Sequence, residues 1–271
     1  MTPPRGMGTL LAPVVQTLLP DRPASVDPLL RANLERVRER IARAAAAVGR
    51  STDEVRLLAV TKSVSAARAA DLVRLGQLDL GENRVDVLGP KAEALAACGL
   101  RPRWHMIGHL QRNKARRAVA AADCVHSVDT LRLLETLSRL SVEHGKTMDV
   151  FLEVRAVETE ERTGFAPAEL QGAVELAASL PALRLRGLMA MAAPCPEARE
   201  FDLASQAAPR RTFASIARLG DALPREAFFA GRVEYSMGMS SDLEAAVAEG
   251  ATWLRIGTAL FEGLAPEGSA S

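Results

Sequence analysis

Lys62 is the residue of this sequence whose type and place most clearly suggest chemistry. It ends a short stretch, VRLLAVTK (residues 55–62), in which five residues are apolar. Short apolar runs of this length are typical of buried strands, although a buried helix segment can show the same pattern. A lysine at the mouth of such a strand would keep its stem among apolar groups, where loss of water favours the free amine that attacks carbonyl carbon. The alternative is an ordinary strand-end lysine that reaches into water, because lysine side chains are mostly exposed.

Two stretches near the C-terminus have the composition of anion-binding loops. Residues 236–242 (SMGMSSD) and 255–258 (RIGT) each place a glycine and small hydroxyl side chains directly before a predicted helix. Glycine lets the backbone approach a ligand closely, and the N–H groups at a helix start attract anions. The candidate residues are Ser236, Gly238, Ser240, Gly257 and Thr258. Ordinary capping of the two helices is the alternative, and the two roles are compatible.

Alternating segments place these residues in one fold. Apolar residues at helical spacing predict a long helix that begins near Asp27 and ends at Gly49. Eight short apolar segments then alternate with helical ones, which favours a parallel sheet covered by helices. Eight repeats in 271 residues favour a single (β/α)8 TIM barrel with an added N-terminal helix over an open α/β sheet. The predicted strands are residues 55–62, 78–80, 103–107, 124–127, 148–154, 183–189, 232–236 and 252–256.

The barrel is predicted to form one domain, residues 27–271. Residues 1–26 carry five prolines and predict a loosely ordered N-terminal extension. In barrels of this type functional residues lie at the C-terminal ends of the strands, and phosphate commonly binds to the loops after strands seven and eight. Lys62 and both C-terminal loops fall at that end, so the sequence predicts a single site there.

A lysine that faces a phosphate-binding loop suggests a phosphorylated aldehyde held as a Schiff base. Pyridoxal 5'-phosphate is the common compound of this kind. Arg255 ends the eighth predicted strand, and arginine stays protonated in proteins. It would therefore donate to an unprotonated pyridine nitrogen, which leaves the ring a weak electron sink. A salt bridge across the barrel end is the alternative role for Arg255.

Composition and charge argue against several other classes of function. The formal net charge is +1, which gives no overall field to attract nucleic acid or an acidic membrane. No apolar run is long enough to span a bilayer. One basic run most simply forms a solvated helix face, with nucleic-acid or anion binding as the weaker interpretation; it consists of Arg112, Lys114, Arg116 and Arg117.

Metal binding and disulfides are also disfavoured. His105 and His109 are four residues apart, but a glycine lies between them and no carboxylate or cysteine cluster accompanies them. The sequence therefore predicts no metal site. Cys98, Cys124 and Cys195 are far apart and odd in number, which is typical of reduced packing residues in a cytoplasmic protein.

Several longer motifs resemble those of one family. They are AVTK (59–62), GENR (81–84), RWHMIGHLQRNK (103–114), TGF (163–165), LRGLM (185–189) and SMGMSSDLEAAVAEGATWLRIGTALFEG (236–263). Over roughly residues 30–263 the chain resembles the YggS/PROSC-type pyridoxal phosphate homeostasis proteins. The resemblance implies a barrel similar to the N-terminal domain of alanine racemase, with the cofactor bound covalently to Lys62. It also implies that Ser236, Gly238, Ser240, Gly257 and Thr258 lie near the phosphate, Arg255 near the pyridine nitrogen, and Asn83 at the mouth near the cofactor.

The chain departs from the family pattern around Lys62. Thr61 and residues 63–65 (SVS) stand where the family has a serine before the lysine and Thr-Lys-Pro after it. The second lysine, which the resemblance implicates in cofactor handling, is therefore missing.

The resemblance implies a cytoplasmic, monomeric carrier that regulates vitamin B6 and amino-acid pools. Enzymes that need pyridoxal phosphate would be its transient recipients. The alternative is an amino-acid racemase of the alanine racemase type, which needs a second base, commonly a tyrosine from an added domain and a partner subunit. The only tyrosine, Tyr235, falls inside a predicted strand, so the carrier is favoured.

Overall fold

A computed structural model describes residues 26–156 and 163–265 of the chain. The predicted extension, residues 1–26, lies outside the described residues except for Val26. Eight parallel strands follow each other in sequence order around a closed barrel, and the first pairs with the last. The strands are β1 Arg56–Val60, β2 Asp79–Glu82, β3 Arg103–Met106, β4 Cys124–Val128, β5 Met148–Glu153, β6 Leu183–Met189, β7 Glu234–Ser236 and β8 Trp253–Ile256. The predicted (β/α)8 barrel is confirmed.

Helices lie between the strands, one precedes them and one follows them. Their bounds are α1 Pro28–Ala47, α2 Ala66–Arg74, α3 Val85–Ala97, α4 Ala115–Ala121, α5 Leu131–Glu143, α6 Leu170–Ser179, α7 Ala207–Asp221, α8 Leu243–Ala248 and α9 Thr258–Phe261. The side chains of Asp27, Ser65 and Thr130 cap α1, α2 and α5 by accepting bonds from backbone N–H groups of the first turn. No helix in the described part of the chain is both long and apolar enough to cross a membrane.

One predicted boundary is wrong by about two turns. The pattern predicts a helix from about Arg199, whereas α7 begins at Ala207. The Asp202 carboxylate accepts bonds from the N–H groups of Ala204 and Ser205. Such local bonds compete with a helix, so the segment before α7 forms turns.

The barrel interior is layered along its axis. At the N-terminal ends of the strands, the carboxylates of Asp149 and Glu234 form ion pairs with arginines; these are Arg56, Arg103, Arg184 and Arg186. Above them lies an apolar layer of Leu58, Cys124, Phe151, Met189 and Trp253. The interior is therefore filled with side chains, and the C-terminal ends of the strands form the rim above this packing.

Helix α1 packs against the outside of the barrel beside the loops after β7 and β8. Its apolar side contributes Leu30, Leu34, Val37 and Ile41 to the core. Arg40, which is 8% exposed, donates to both carboxylate oxygens of Glu244 at 2.7 and 2.8 Å. Gln206 donates to the same carboxylate at 2.9 Å. Arg40 also donates to the backbone oxygen of Ser240 at 2.9 Å, which ties α1 to the loop after β7.

Replacement of Arg40 by alanine is expected to destabilise the protein strongly. The buried Glu244 carboxylate would lose its charged partner, a change that costs about 3–5 kcal/mol in comparable pairs. Burial alone would raise the pKa of Glu244, but the bonds from Arg40 and Gln206 outweigh it and hold the pKa below its usual value. The stabilisation that this pair provides is therefore complete at pH values above the pKa of the glutamate in the unfolded chain. It is lost as the pH falls through the lower pKa of Glu244 in the folded protein.

Denaturant unfolding of R40A at several pH values measures this effect. The matched control is Arg139→Ala, because Arg139 forms an exposed pair with Glu143 within α5. That control is expected to leave the free energy of unfolding nearly unchanged. Equal losses in the two variants would contradict the role given to Arg40.

Candidate functional site

Lys62 lies at the rim of the barrel, two residues beyond the end of β1. Its side chain is exposed, whereas the preceding Thr61 is fully buried. The expectation that the lysine stem is enclosed by apolar groups is therefore wrong. Leu58 of β1 points into the barrel, while Leu57 and Ala59 belong to the core between strands and helices. A turn follows Thr61, so the Lys62 side chain meets solvent at the mouth.

A buried polar cluster fixes the backbone on which Lys62 stands. The Thr61 hydroxyl donates to the Glu82 carboxylate at 2.6 Å. Lys91, on α3, donates to the same carboxylate oxygen and to the Thr61 carbonyl, at 2.6 and 2.7 Å. Glu82 and Lys91 are 0% and 6% exposed, so their charges pair inside the protein. The peptide group before Lys62 is thus held by two neighbouring elements.

The loop after β7 is shaped by a glycine in a backbone conformation that other residues rarely adopt. Gly238 has a φ of +94°, and an added Cβ would lie 2.4 Å from the Cβ of Ala246 and 2.8 Å from Leu254. Its carbonyl accepts a bond from the Arg255 N–H at 3.0 Å, which joins this loop to β8. The backbone of the loop therefore packs tightly against α8 and β8, with Ser236 buried and Ser240 partly exposed.

The loop after β8 lies against β1. An added Cβ at Gly257 would lie 3.2 Å from the Val60 carbonyl oxygen, two residues before Lys62. Neither α8 nor α9 receives a side-chain cap from its N-cap residue, Asp242 or Gly257. The capping alternative is therefore not what the structure shows, since the Asp242 carboxylate accepts from the N–H of Met239 instead, at 2.6 Å.

Arg255 projects into the barrel interior below these loops. Its guanidinium donates to the Ser236 hydroxyl at 2.9 Å and to the carbonyl oxygen of Ala190 at 3.0 Å. None of the ion pairs found among residues 26–156 and 163–265 involves Arg255, so the salt-bridge alternative is wrong there. Burial lowers the pKa of Arg255 to about 10, although the charges of Asp242 and Glu153 oppose that shift. The side chain thus stays protonated at neutral pH.

The remaining predicted residues also lie at this end of the barrel. Asn83 directly follows β2, and Thr258 begins α9; both are exposed. Because β2, β1, β8 and β7 are consecutive neighbours in the barrel, the loops after them adjoin at one sector of the rim. The predicted residues are therefore gathered on one side of the mouth.

Glu153 is a rim residue that the sequence reasoning missed. It ends β5, is 6% exposed, and accepts a bond from the Thr163 hydroxyl at 3.2 Å. Burial raises the pKa of its carboxyl, the nearby Asp129 raises it further, and Thr163, Arg255 and His109 oppose the rise. The sequence feature that could have identified Glu153 is a glutamate at the C-terminal end of a largely apolar strand.

His105 and His109, which are four residues apart in the sequence, have different partners. His109 is exposed and contacts Asp129, with 3.0 Å between its Nδ1 and the carboxylate. His105 is fully buried in β3 and instead contacts His126 of β4, with 2.9 Å between ring nitrogens. Together with Cys124 they form a buried group of potential metal ligands within 4.8 Å of one another. The sequence reasoning missed His126, which lies within the apolar fourth strand.

Two other sequence features take no part in the site. In the basic run, Lys114 and Arg117 pair with Asp86, and Arg116 pairs with Glu143, as expected of a solvated face. Tyr235 points away from the barrel axis. Its hydroxyl donates to the carbonyl of Ala217 in α7, and burial raises its pKa to about 12.

Comparisons with known proteins identify the class of this barrel. Residues 32–265 match the family model of the alanine racemase N-terminal domain. A pyridoxal phosphate homeostasis protein from Pseudomonas aeruginosa is 40% identical over 230 residues, which cover 84% of this chain and 93% of the relative.

Solved structures agree with this class. PipY from Synechococcus elongatus PCC7942 is known without PLP, at 35% identity and a TM-score of 0.72. It is also known with PLP bound, at 34% identity and a TM-score of 0.69. Each comparison covers 86% of this chain and 99% of PipY. The chain belongs to the family of pyridoxal phosphate homeostasis proteins, which confirms the resemblance seen in the motifs.

Removal of Lys91 is expected to destabilise the protein by leaving Glu82 as an unpaired buried charge. For Lys91→Met the loss is about 3–5 kcal/mol by analogy with other buried pairs. The double variant Glu82→Gln/Lys91→Met removes both charges and is expected to recover much of that loss. Urea unfolding of both single variants and the double variant gives the coupling free energy. Strictly additive effects would rule out the pairing.

Proposed function

We propose that this chain binds pyridoxal 5'-phosphate covalently through Lys62 and serves as a carrier in intracellular vitamin B6 and amino-acid homeostasis, without strong catalysis of its own. The observation that carries the proposal is the convergence of one lysine with two glycine-shaped loops on adjacent strands β7, β8 and β1. The names of the relatives and the PLP-bound PipY structure support the choice of cofactor.

The residues present fit the phosphate of this cofactor. Gly238 lets the loop after β7 pack closely on α8 and β8, and Gly257 lets the loop after β8 approach β1, so both loops lie beside the turn that carries Lys62. The starts of α8 and α9 lack caps from their N-cap residues, and backbone N–H groups at helix starts are suited to anions. Ser240 and Thr258 add hydroxyl groups to the same two loops, and Ser236 lies where the first of them begins. We assign these five residues to the phosphate side of the site.

Lys62 supplies the covalent link in this proposal. Its amine would hold the cofactor through the aldehyde carbon, with the aldehyde oxygen leaving as water. Bound pyridoxal phosphate would supply an electron sink for carbanions next to the linked nitrogen. Arg255 would limit that chemistry, because a protonated guanidinium would donate to the ring nitrogen and leave it unprotonated. We place Asn83 at the mouth, beside the cofactor.

The side chains at the rim favour a protein that holds the cofactor, in preference to an enzyme that converts substrates with it. Tyr235, the residue type that would serve as a second base, is bonded to α7 on the outside of the barrel. One observation favours the alternative, a weak amino-acid racemase: Glu153 is a buried carboxyl of raised pKa that interacts with Arg255. A correctly placed proton-transfer group contributes about 10²–10⁴-fold to a rate, so Glu153 is the residue to test.

We place the carrier in the cytoplasm, as a monomer that meets recipient enzymes transiently. The three cysteines of the described residues are free thiols, which fits a reducing compartment.

Added pyridoxal phosphate is expected to give the wild-type protein a visible absorption band that K62A lacks. Borohydride reduction followed by peptide mapping is expected to place the label on Lys62. Lys146→Ala is the matched control, because Lys146 precedes β5 and so lies at the N-terminal end of the strands, opposite the rim. A label on another lysine, or an unchanged band in K62A, would sink the covalent assignment.

Turnover of alanine and serine at high protein concentration separates the carrier from the racemase. The carrier proposal expects racemisation no faster than with free cofactor. If the rate is well above that level and Glu153→Gln lowers it by about 10²–10⁴-fold, the racemase alternative holds. Tyr235→Phe is the control and is expected to leave the rate unchanged.

A further inference from the structure

A continuous series of polar contacts runs through the barrel interior to Arg255. From Arg255 Nη1 the distance to the Ser236 hydroxyl is 2.9 Å, and from that hydroxyl to His126 Nδ1 it is 2.7 Å. His126 Nε2 lies 2.9 Å from His105 Nδ1, and His105 Nε2 lies 3.0 Å from an Asp79 carboxylate oxygen. The five residues come from β8, β7, β4, β3 and β2, so the series crosses the barrel between the non-adjacent strands β7 and β4.

The Asp79 end of the series, together with the charge of the rings, fixes the direction of every bond. A guanidinium can only donate, and a carboxylate can only accept. The Ser236 oxygen therefore accepts from Arg255, which by itself leaves the hydroxyl able to donate to His126 or to accept from it. At the other end His105 must carry a proton on Nε2, where it donates to Asp79.

Neutral rings decide the bonds between these ends. A neutral His105 has no proton on Nδ1, so it accepts there from His126 Nε2, and a neutral His126 then accepts at Nδ1 from the Ser236 hydroxyl. Both rings are thus of the Nε2–H form. Burial, the largest cause in each case, lowers the pKa of both imidazoles, which agrees with neutral rings.

A hydrogen-bonded pair explains the two histidines better than a metal site does. Cys124 lies close enough to both for shared coordination. All four ring nitrogens, however, already have hydrogen-bond partners, so a metal would have to displace at least one of them. Burial also raises the pKa of the Cys124 thiol well above its usual value, which disfavours the thiolate that a metal needs.

Aromatic contacts hold both rings in place. The His126 ring stacks on Phe151 with 4.4 Å between centroids, and the His105 ring lies 5.1 Å from Trp253. These contacts hold each ring so that its nitrogens stay within hydrogen-bond distance of their partners.

We propose that Asp79, His105 and His126 are positioning residues that act through Ser236 to orient Arg255 towards the cofactor. This proposal rests on the proposed function for its effect on the cofactor, while the bond directions concern the protein alone. Arg255 has no ion-pair partner among the described residues, so neutral acceptors must hold its charge in place. Each bond in a series polarises the next, and the Asp79 carboxylate at the far end strengthens the acceptor that Ser236 offers.

The first test uses the wild-type protein without cofactor. In the full chain labelled with ¹⁵N-histidine and free of cofactor, long-range ¹H–¹⁵N correlation spectra at neutral pH report the form of each ring. His105 and His126 are expected to be neutral and protonated on Nε2. The exposed His109 and His144 serve as internal references. An Nδ1–H form or a doubly protonated ring at either buried position would overturn the proposal, as would one equivalent of zinc bound to them.

The second test measures the effect on bound pyridoxal phosphate. His126→Phe keeps a ring beside Phe151 but breaks the series, and is expected to shift the absorption band and to weaken binding roughly tenfold. Asp79→Ala, at the opposite end of the barrel, is expected to shift the same band and to alter the His105 ring in the apo-protein spectrum. Cys124→Ala is the control from the same interior layer and is expected to change neither.

The outcomes of the two tests separate the two proposals. A folded His126→Phe protein with an unchanged band and affinity would overturn the positioning role. If the wild type fails to bind pyridoxal phosphate while both rings are of the Nε2–H form, the proposed function fails and the bond directions stand.

Discussion

Closure of the barrel between β1 and β8 is the constraint on which the site depends. Four pairs in register, from Arg56 with Trp253 to Ala59 with Ile256, join the first strand to the last. This seam brings Gly257 against Val60 and places the turn that carries Lys62 beside the loops after β7 and β8. Residues almost two hundred positions apart in the chain thus become neighbours only when the sheet closes. A slip of one residue along β1 would turn its inward side chains outwards.

Charge is distributed along the barrel axis in a way that suits this arrangement. Arginines and carboxylates neutralise each other at the N-terminal ends of the strands, where Asp149 and Glu234 each meet more than one guanidinium. Among the described residues, the layer above them is apolar, and Arg255 lies beneath the rim with its charge bonded to neutral acceptors. A buried charge without a carboxylate partner is costly unless several acceptors bind it. Arg255 satisfies that condition through Ser236 and Ala190, and its remaining donor capacity suits a ligand above it.

The sequence predicted the fold well because its signals are local. The cap at Asp27 lies where the pattern placed the start of the first helix. The long α7 was predicted too early because side-chain bonds of Asp202 stop the helix from extending, and such bonds leave no trace in apolar periodicity. Site residues that follow a strand could be placed at the mouth, because functional residues of such barrels lie at the C-terminal ends of the strands. The exposure of Lys62 could not, because it depends on the turn after Thr61. Nor could the contact between Ser236 and His126, which joins strands on opposite sides of the barrel.

The segment after Lys62 connects the structure to the proposed role. Residues 63–65 replace the part of the family pattern that carries a second lysine, and in this chain Ser65 caps α2 instead. The rim near β1 therefore offers one amine from this loop, and that amine is exposed. A covalent bond formed at an exposed lysine is open to water and to incoming amines, either of which can displace the lysine. A closed site would protect the bond during a reaction, whereas an open one favours exchange. If the cofactor is bound as proposed, the exposure of Lys62 favours its release by exchange with solvent or with an acceptor amine, without a relay through a neighbouring lysine.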